Sequence, residues 1–161
     1  MKNFQVTFKD TVFVLVQLVL LVLFFTLPGW RHFYVRYTVM VVGWIVAISG
    51  VLIITWASIN LGRSISPFPT PLEKATLVTN GVFRYIRHPI YTGFIIFLAG
   101  IAVATGSLTR IGITLFSALF FSVKASYEEK KLLKKYPGYS HYKERAGRFI
   151  PKLKSLFSDN D

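Results

Sequence analysis

The sequence predicts an all-α integral membrane protein of about four transmembrane helices, the last two paired as a hairpin. Three observations carry this. Of 161 residues, 53% are hydrophobic and only 16% charged, with a mean hydropathy of +0.50; a soluble domain carries about 25% charged residues. Three uncharged stretches reach the ~20 apolar residues that a helix needs to cross a bilayer. The 19 basic residues, set against 7 acidic ones, cluster along the chain. The apolar content excludes disorder, and zero cysteines exclude a disulfide framework, thiolate metal sites and a cysteine nucleophile.

Thr11 to Trp30 is uncharged for 20 residues, Tyr37 to Gly62 for 26 and Pro89 to Thr109 for 21. A fourth apolar run, Ile111 to Val123, has 13 residues between Arg110 and Lys124. At about 1.5 Å per residue it falls short of a hydrocarbon core about 30 Å thick. Snorkelling of Arg110 and Lys124 lengthens it into a span. The spans expected are about 11–29, 37–61, 90–106 and 108–125, in one domain. Lys2 and Lys9 precede the first as in a signal peptide. Its apolar region exceeds the usual ~7–15 residues, and no Ala-x-Ala-like site follows, so a retained span is expected.

With four spans, 16 of the 19 basic residues share one side of the membrane; Arg31, Arg36 and Arg110 take the other. The positive-inside rule then puts both termini and the loop Arg63–His88 in the cytoplasm. Nucleic-acid binding is set aside, because the charge follows topology.

Two cytoplasmic segments remain. The loop contains Ser66-Pro67-Phe68-Pro69-Thr70-Pro71, which excludes a helix interior, and Asn80-Gly81 marks a turn. Beyond Lys124, Ala125, Leu132, Leu133 and Tyr136 form a helical stripe, while Lys130, Lys131, Lys134 and Lys135 suit an anionic lipid surface. Glu128 and Glu129 do not.

Three features converge on the cytoplasmic face: Arg87-His88-Pro89-Ile90-Tyr91 at the mouth of span three, Glu128-Glu129 just past span four, and Leu77-Val78-Thr79-Asn80-Gly81 before them. The tight turn near Gly106-Ser107 folds spans three and four back on each other, returning the glutamates to the depth of His88. Ionisable groups at the edge of hydrocarbon mark a functional site. The competing reading is interfacial anchoring, which suits Arg84 and Tyr85. Gly93, Ala99, Gly100, Ala102 and Ala104 are read as packing of the hairpin.

These residues carry a resemblance. Asn60-Leu61-Gly62-Arg63, the Pro-rich loop, and Leu77 through Arg87-His88-Pro89-Ile90-Tyr91-Thr92-Gly93, followed by Glu128-Glu129-x-x-Leu132, Tyr139, Tyr142 and Ile150-Pro151, closely resemble the isoprenylcysteine carboxyl methyltransferases. Phospholipid N-methyltransferases are similar here, as are the cofactor halves of membrane sterol reductases. The resemblance covers about residues 60–151. It implies S-adenosylmethionine bound between the hairpin and the C-terminal segment, against Leu77, Val78, Thr79, Gly81, His88, Tyr91, Glu128 and Glu129. It implies a lipid-linked acceptor entering from the bilayer. The stretch Tyr136-Pro137-Gly138-Tyr139-Ser140-His141-Tyr142 is one residue shorter than the family's usual pattern.

Methyl transfer needs positioning and no metal, and no histidines pair. Catalytic roles are assigned to Arg87, orienting cofactor or acceptor carboxylate, and to Glu129, pairing with the cofactor's ammonium or ribose. A carboxylate acceptor needs no base, whereas an amine needs a proton acceptor, so both ester and amine chemistry stay open. A non-enzymatic membrane protein with a basic recruiting tail is the rival, and it has no use for the paired glutamates.

Overall fold

The computed structural model describes residues 6–29 and 33–152. Lys2, Arg31 and Lys154, counted in the charge asymmetry, lie outside them. Four long helices and one short one make up the described chain, with no β-strand among the described residues. Three of the helices are long and apolar enough to cross a membrane.

Helix α1 (Phe8–Thr26) starts at Thr7, whose backbone N–H donates to the Asp10 carboxylate at 2.6 Å; it stops before Pro28. Helix α2 (Tyr37–Leu61) runs 25 residues. Helix α3 (Pro89–Thr105) opens on Pro89, whose missing N–H costs nothing at a first helical position. Gly106 ends it with φ 59°, in the left-handed region that a glycine adopts without strain. Ser107 then caps α4 (Leu108–Lys135), so the third and fourth helices form the expected hairpin. Helix α5 is a short piece, Tyr139–Arg145.

Two features differ from the sequence expectation. The shorter of the paired helices is α3, with 17 residues and about 25 Å of length. Helix α4 is continuous for 28 residues, about 42 Å, so the stripe beyond Lys124 is its extension and not a separate surface helix. No residue between Lys124 and Lys135 breaks the helix; Pro137 does.

Three of the small residues of α3 also have a different partner from the one expected. Gly93, Gly100 and Ala104 face α2. A Cβ at Gly43 would lie 2.6 Å from the Ala104 nitrogen, and one at Gly50 would lie 2.6 Å from the Gly93 carbonyl. Helices meet this closely in lipid where packing contacts, in place of a hydrophobic driving force, hold them together. Helix α1 lies along α4 instead, with Phe13 against Phe120 and Tyr127 at 5.9 and 5.2 Å between ring centroids. Phe24 closes the opposite end, packed with Ala47, Leu98 and Ile101. The outward faces stay apolar, with Leu15 and Val22 on α1, Ile48 and Leu52 on α2, and Leu115 and Leu119 on α4 all exposed. A contiguous apolar belt of this kind suits lipid. The chain is an all-α membrane protein.

Candidate active site

The site begins two residues before α3. Arg87, almost wholly buried, donates from Nε and Nη2 to the Glu129 carboxylate at 3.1 and 3.0 Å. Its Nη1 binds the carbonyls of Lys143, at 3.1 Å, and of Ala146. Glu129 also accepts from Arg148 Nη2 at 3.1 Å and lies 3.3 Å from both His88 Nε2 and Lys143 Nζ. Buried charges persist where they are paired and hydrogen-bonded, and this carboxylate is surrounded by donors.

Backbone pairing brings Arg148 there. The Arg87 N–H donates to the Gly147 carbonyl at 2.8 Å, the His88 N–H to the Arg148 carbonyl at 3.1 Å, and the Gly147 N–H to the Tyr85 carbonyl at 2.9 Å. Residues 85–88 and 147–148 thereby run side by side. Thr92 adds a bond to the Phe149 carbonyl at 3.0 Å. The C-terminal segment is thus stitched to the start of α3.

Next to this hub lies an aromatic stack. The His88 ring lies parallel to Tyr91, with centroids 5.3 Å apart, and Tyr91 stacks on Phe121 at 4.9 Å. The Tyr91 hydroxyl donates to Glu128 at 2.8 Å, and His88 Nδ1 lies 3.7 Å from the same carboxylate oxygen. His88 therefore bridges the two glutamates.

These groups wall a cavity of about 550 Å³ between the helix ends, a volume typical of small-molecule sites. Its wall runs from Gln17 of α1 through Ser58 of α2 and the Pro-rich loop to Tyr139 of α5. Burial raises the Tyr139 and Tyr142 phenols well above their ordinary range, so both stay protonated. The Tyr142 hydroxyl donates to the Phe83 carbonyl at 2.7 Å. The buried Tyr139 hydroxyl has no partner among the described residues.

The Pro-rich loop is tied down by charges. Asp10, fully buried, accepts from the Thr70 hydroxyl at 2.6 Å and from Lys131 Nζ at 2.8 Å. Lys135 binds the Leu72 and Glu73 carbonyls, and the Tyr136 hydroxyl donates to the Ala75 carbonyl at 2.6 Å. Lys131 and Lys135 hold the loop rather than lying free on a lipid surface.

Of the residues singled out from the sequence, Leu77, Val78, Arg87, His88, Tyr91 and Glu128 line the cavity. Thr79, Gly81 and Glu129 do not. Gly81 turns the chain with φ 56° directly against the Asn60 carboxamide, which accepts from the Val82 N–H at 3.2 Å. That contact ties the turn to the end of α2, where Val82 and Phe83 pack with Ala57. Glu129 faces the guanidinium groups behind the wall. Sequence reasoning passed over Gln17, Asp10 and Lys124. Gln17 is the single carboxamide in an otherwise apolar run, and Lys124 and Lys131 are seven apart on one helix face, both signals that were there to be used.

The sequence profile of the phospholipid methyltransferases matches residues 38–138. The chain belongs to this family. Over 91 residues it is 35% identical to a probable protein-S-isoprenylcysteine O-methyltransferase of Oryza sativa subsp. indica, covering 55% of this chain and 48% of the rice protein. Over 86 residues it is 34% identical to the protein-S-isoprenylcysteine O-methyltransferase of Xenopus laevis, covering 52% and 30%. Methanethiol S-methyltransferase 1 of Bradyrhizobium diazoefficiens is 27% identical over 132 residues, covering 74% and 42%. The matches thus span half or less of the length of these relatives. The isoprenylcysteine methyltransferase resemblance carried by the motifs and these comparisons point to the same kind of protein.

Proposed function

We propose that this protein is an S-adenosylmethionine-dependent methyltransferase of the membrane, acting on a lipid-like or lipid-linked acceptor, with carboxyl O-methylation favoured. The observation that carries the reading is the cavity itself. It joins a polar end, at His88 and Glu128, to walls on apolar helices that reach into the bilayer. The family match and the isoprenylcysteine O-methyltransferase relatives supply the chemistry.

The lining fits the cofactor. The orphaned Tyr139 hydroxyl offers a donor, Glu128 offers a carboxylate for an ammonium, and His88, Tyr91 and Phe94 offer flat apolar surface. Leu77 and Val78 would contribute backbone from the loop. S-adenosylmethionine, when bound, supplies a methyl carbon on a sulfonium, so displacement by a carboxylate oxygen yields a neutral ester and a neutral thioether with no proton moved. The protein's own part is to hold the acceptor in line at about 3–3.5 Å and to strip its water. Tyr91, fixed by Glu128 and Phe121, is a rigid wall for that purpose. Glu129 acts behind it as a positioning residue, holding Arg87, Arg148 and His88.

The basic asymmetry supports a topology with both termini and the Pro-rich loop in the cytoplasm, which gives the cavity mouth access to a soluble cofactor. The test is direct. Purified protein is incubated with methyl-labelled cofactor and a membrane extract, and the product is treated with alkali. Volatile labelled methanol supports the ester; alkali-stable label points to an amine or thiol acceptor. No incorporation together with no cofactor binding overturns the enzymatic reading.

A further inference from the structure

We propose that Lys124, oriented by Gln17, is the cation that recognises the acceptor's carboxylate, in place of Arg87. The proposal rests on the methyltransferase reading above and deepens it.

Lys124 sits within the apolar helix α4 and is 1% exposed. Its ammonium donates to the Gln17 carboxamide oxygen at 2.6 Å and to the Pro67 carbonyl at 3.1 Å, and lies 5.3 Å from the centre of the Tyr91 ring. Every one of these partners is uncharged. Glu128, one helical turn on, gives its carboxylate to the Tyr91 hydroxyl at 2.8 Å. No carboxylate of the described residues forms an ion pair with Lys124. Glu128 attracts the ammonium without touching it; a buried ammonium with no carboxylate in contact is costly, and at membrane depth such a group marks a substrate pathway. Lys124 and Gln17 both line the cavity, so the charge is directed at whatever the cavity holds.

Arg87 is committed elsewhere. Its Nε and Nη2 bind Glu129, and its Nη1 binds two carbonyls. Releasing it toward an acceptor would break two hydrogen bonds to a buried carboxylate and two to backbone carbonyls. Lys124 exchanges only a neutral carboxamide and a carbonyl for a carboxylate, and an ammonium–carboxylate hydrogen bond is the stronger of the two. Arrival of a protonated amine beside Lys124 would instead be repelled. The neutral ester, once formed, loses the attraction that held the carboxylate, which favours its departure.

The discriminating probes are N-acetyl-S-farnesylcysteine and its carboxamide, equal in shape and different in charge. Their affinities are measured by thermal shift on the purified protein in detergent. The acid is expected to bind the unaltered protein about tenfold more tightly than the amide, a difference of about 1.4 kcal/mol. Lys124→Met removes that preference while leaving the amide affinity within about twofold, and Lys124→Arg retains most of the preference. Equal binding of acid and amide by the unaltered protein overturns the proposal, whether or not the variants fold. So does a Lys124→Met protein that keeps the preference. Dodecyl phosphate binding more tightly than the acid overturns the carboxylate assignment. Cofactor binding, followed separately by equilibrium dialysis, tests the methyltransferase reading, so the two ideas fail by different measurements.

Discussion

Arg87 and Glu129, 42 positions apart in sequence, meet through two guanidinium hydrogen bonds of 3.1 and 3.0 Å at the base of the α3–α4 hairpin. The pair joins the start of one helix to the extension of the other, and Arg148 ties the C-terminal segment to the same carboxylate. Glu129→Gln keeps the shape and removes the charge, leaving the buried Arg87 guanidinium without its counter-ion. A loss of about 3–5 kcal/mol is expected, as for breaking a buried pair from one side. It should show as a lowered Tm in detergent without any ligand. If the Tm holds and cofactor affinity alone falls, Glu129 touches the cofactor directly and its positioning role is wrong.

Much of this site was legible in the sequence, for a physical reason. Charges are scarce in an apolar chain, so Arg87, His88, Glu128 and Glu129 stand out, and the Gly106-Ser107 turn tells that they meet. What the sequence hid is which group each one faces. Glu128 and Glu129 are neighbours on a helix and therefore about 100° apart around it; one lines the cavity and the other faces two arginines. Residue order alone does not fix that rotation. The continuity of α4 was equally hidden, because the change from apolar to basic at Lys124 looks like a boundary, although the backbone only needs the absence of a breaker. The lysines of the extension were read as lipid-facing because their partners, Asp10 and the Pro-rich loop, lie far away in sequence.

The two buried tyrosines of α5 separate structural from binding roles. Tyr142→Phe deletes a hydrogen bond to the Phe83 carbonyl and leaves that acceptor unsatisfied, at a cost of about 1–3 kcal/mol in unfolding free energy. Tyr139→Phe removes a hydroxyl with no partner among the described residues, so stability should stay level or rise. Its effect belongs to ligand binding: S-adenosylmethionine affinity, measured by calorimetry, is expected to fall about three- to tenfold, the value of one hydrogen bond. An unchanged affinity would remove Tyr139 from the cofactor site.

Glycine substitutions report the α2–α3 contact. Gly50→Ala puts a methyl 2.6 Å from the Gly93 carbonyl and the Phe97 nitrogen. Backbone cannot step aside as a side chain does, so a loss of about 1–3 kcal/mol is expected. Gly112→Ala is the control. It meets no atom within 4 Å on α4, and alanine favours a helix interior by about 0.5–1 kcal/mol over glycine. Opposite signs for the two variants in thermal unfolding support close packing on α2; equal effects would mean that helix propensity alone is being measured.

Orientation can be read chemically because the chain has no cysteine. Ser140 is exposed on α5 beside the cavity mouth, and Tyr34, 90% exposed, lies before α2 at the other end of the helices. With one cysteine introduced at a time, a membrane-impermeant maleimide should label Ser140→Cys in inside-out vesicles and Tyr34→Cys in right-side-out ones. The basis is the balance of Lys and Arg between the two ends. The reverse pattern would put the cavity mouth outside the cell, away from a cytoplasmic cofactor supply. Labelling of both positions from one side would mean that an even number of the helices α2, α3 and α4 crosses the bilayer, and the 17-residue α3 would be the helix that fails to span.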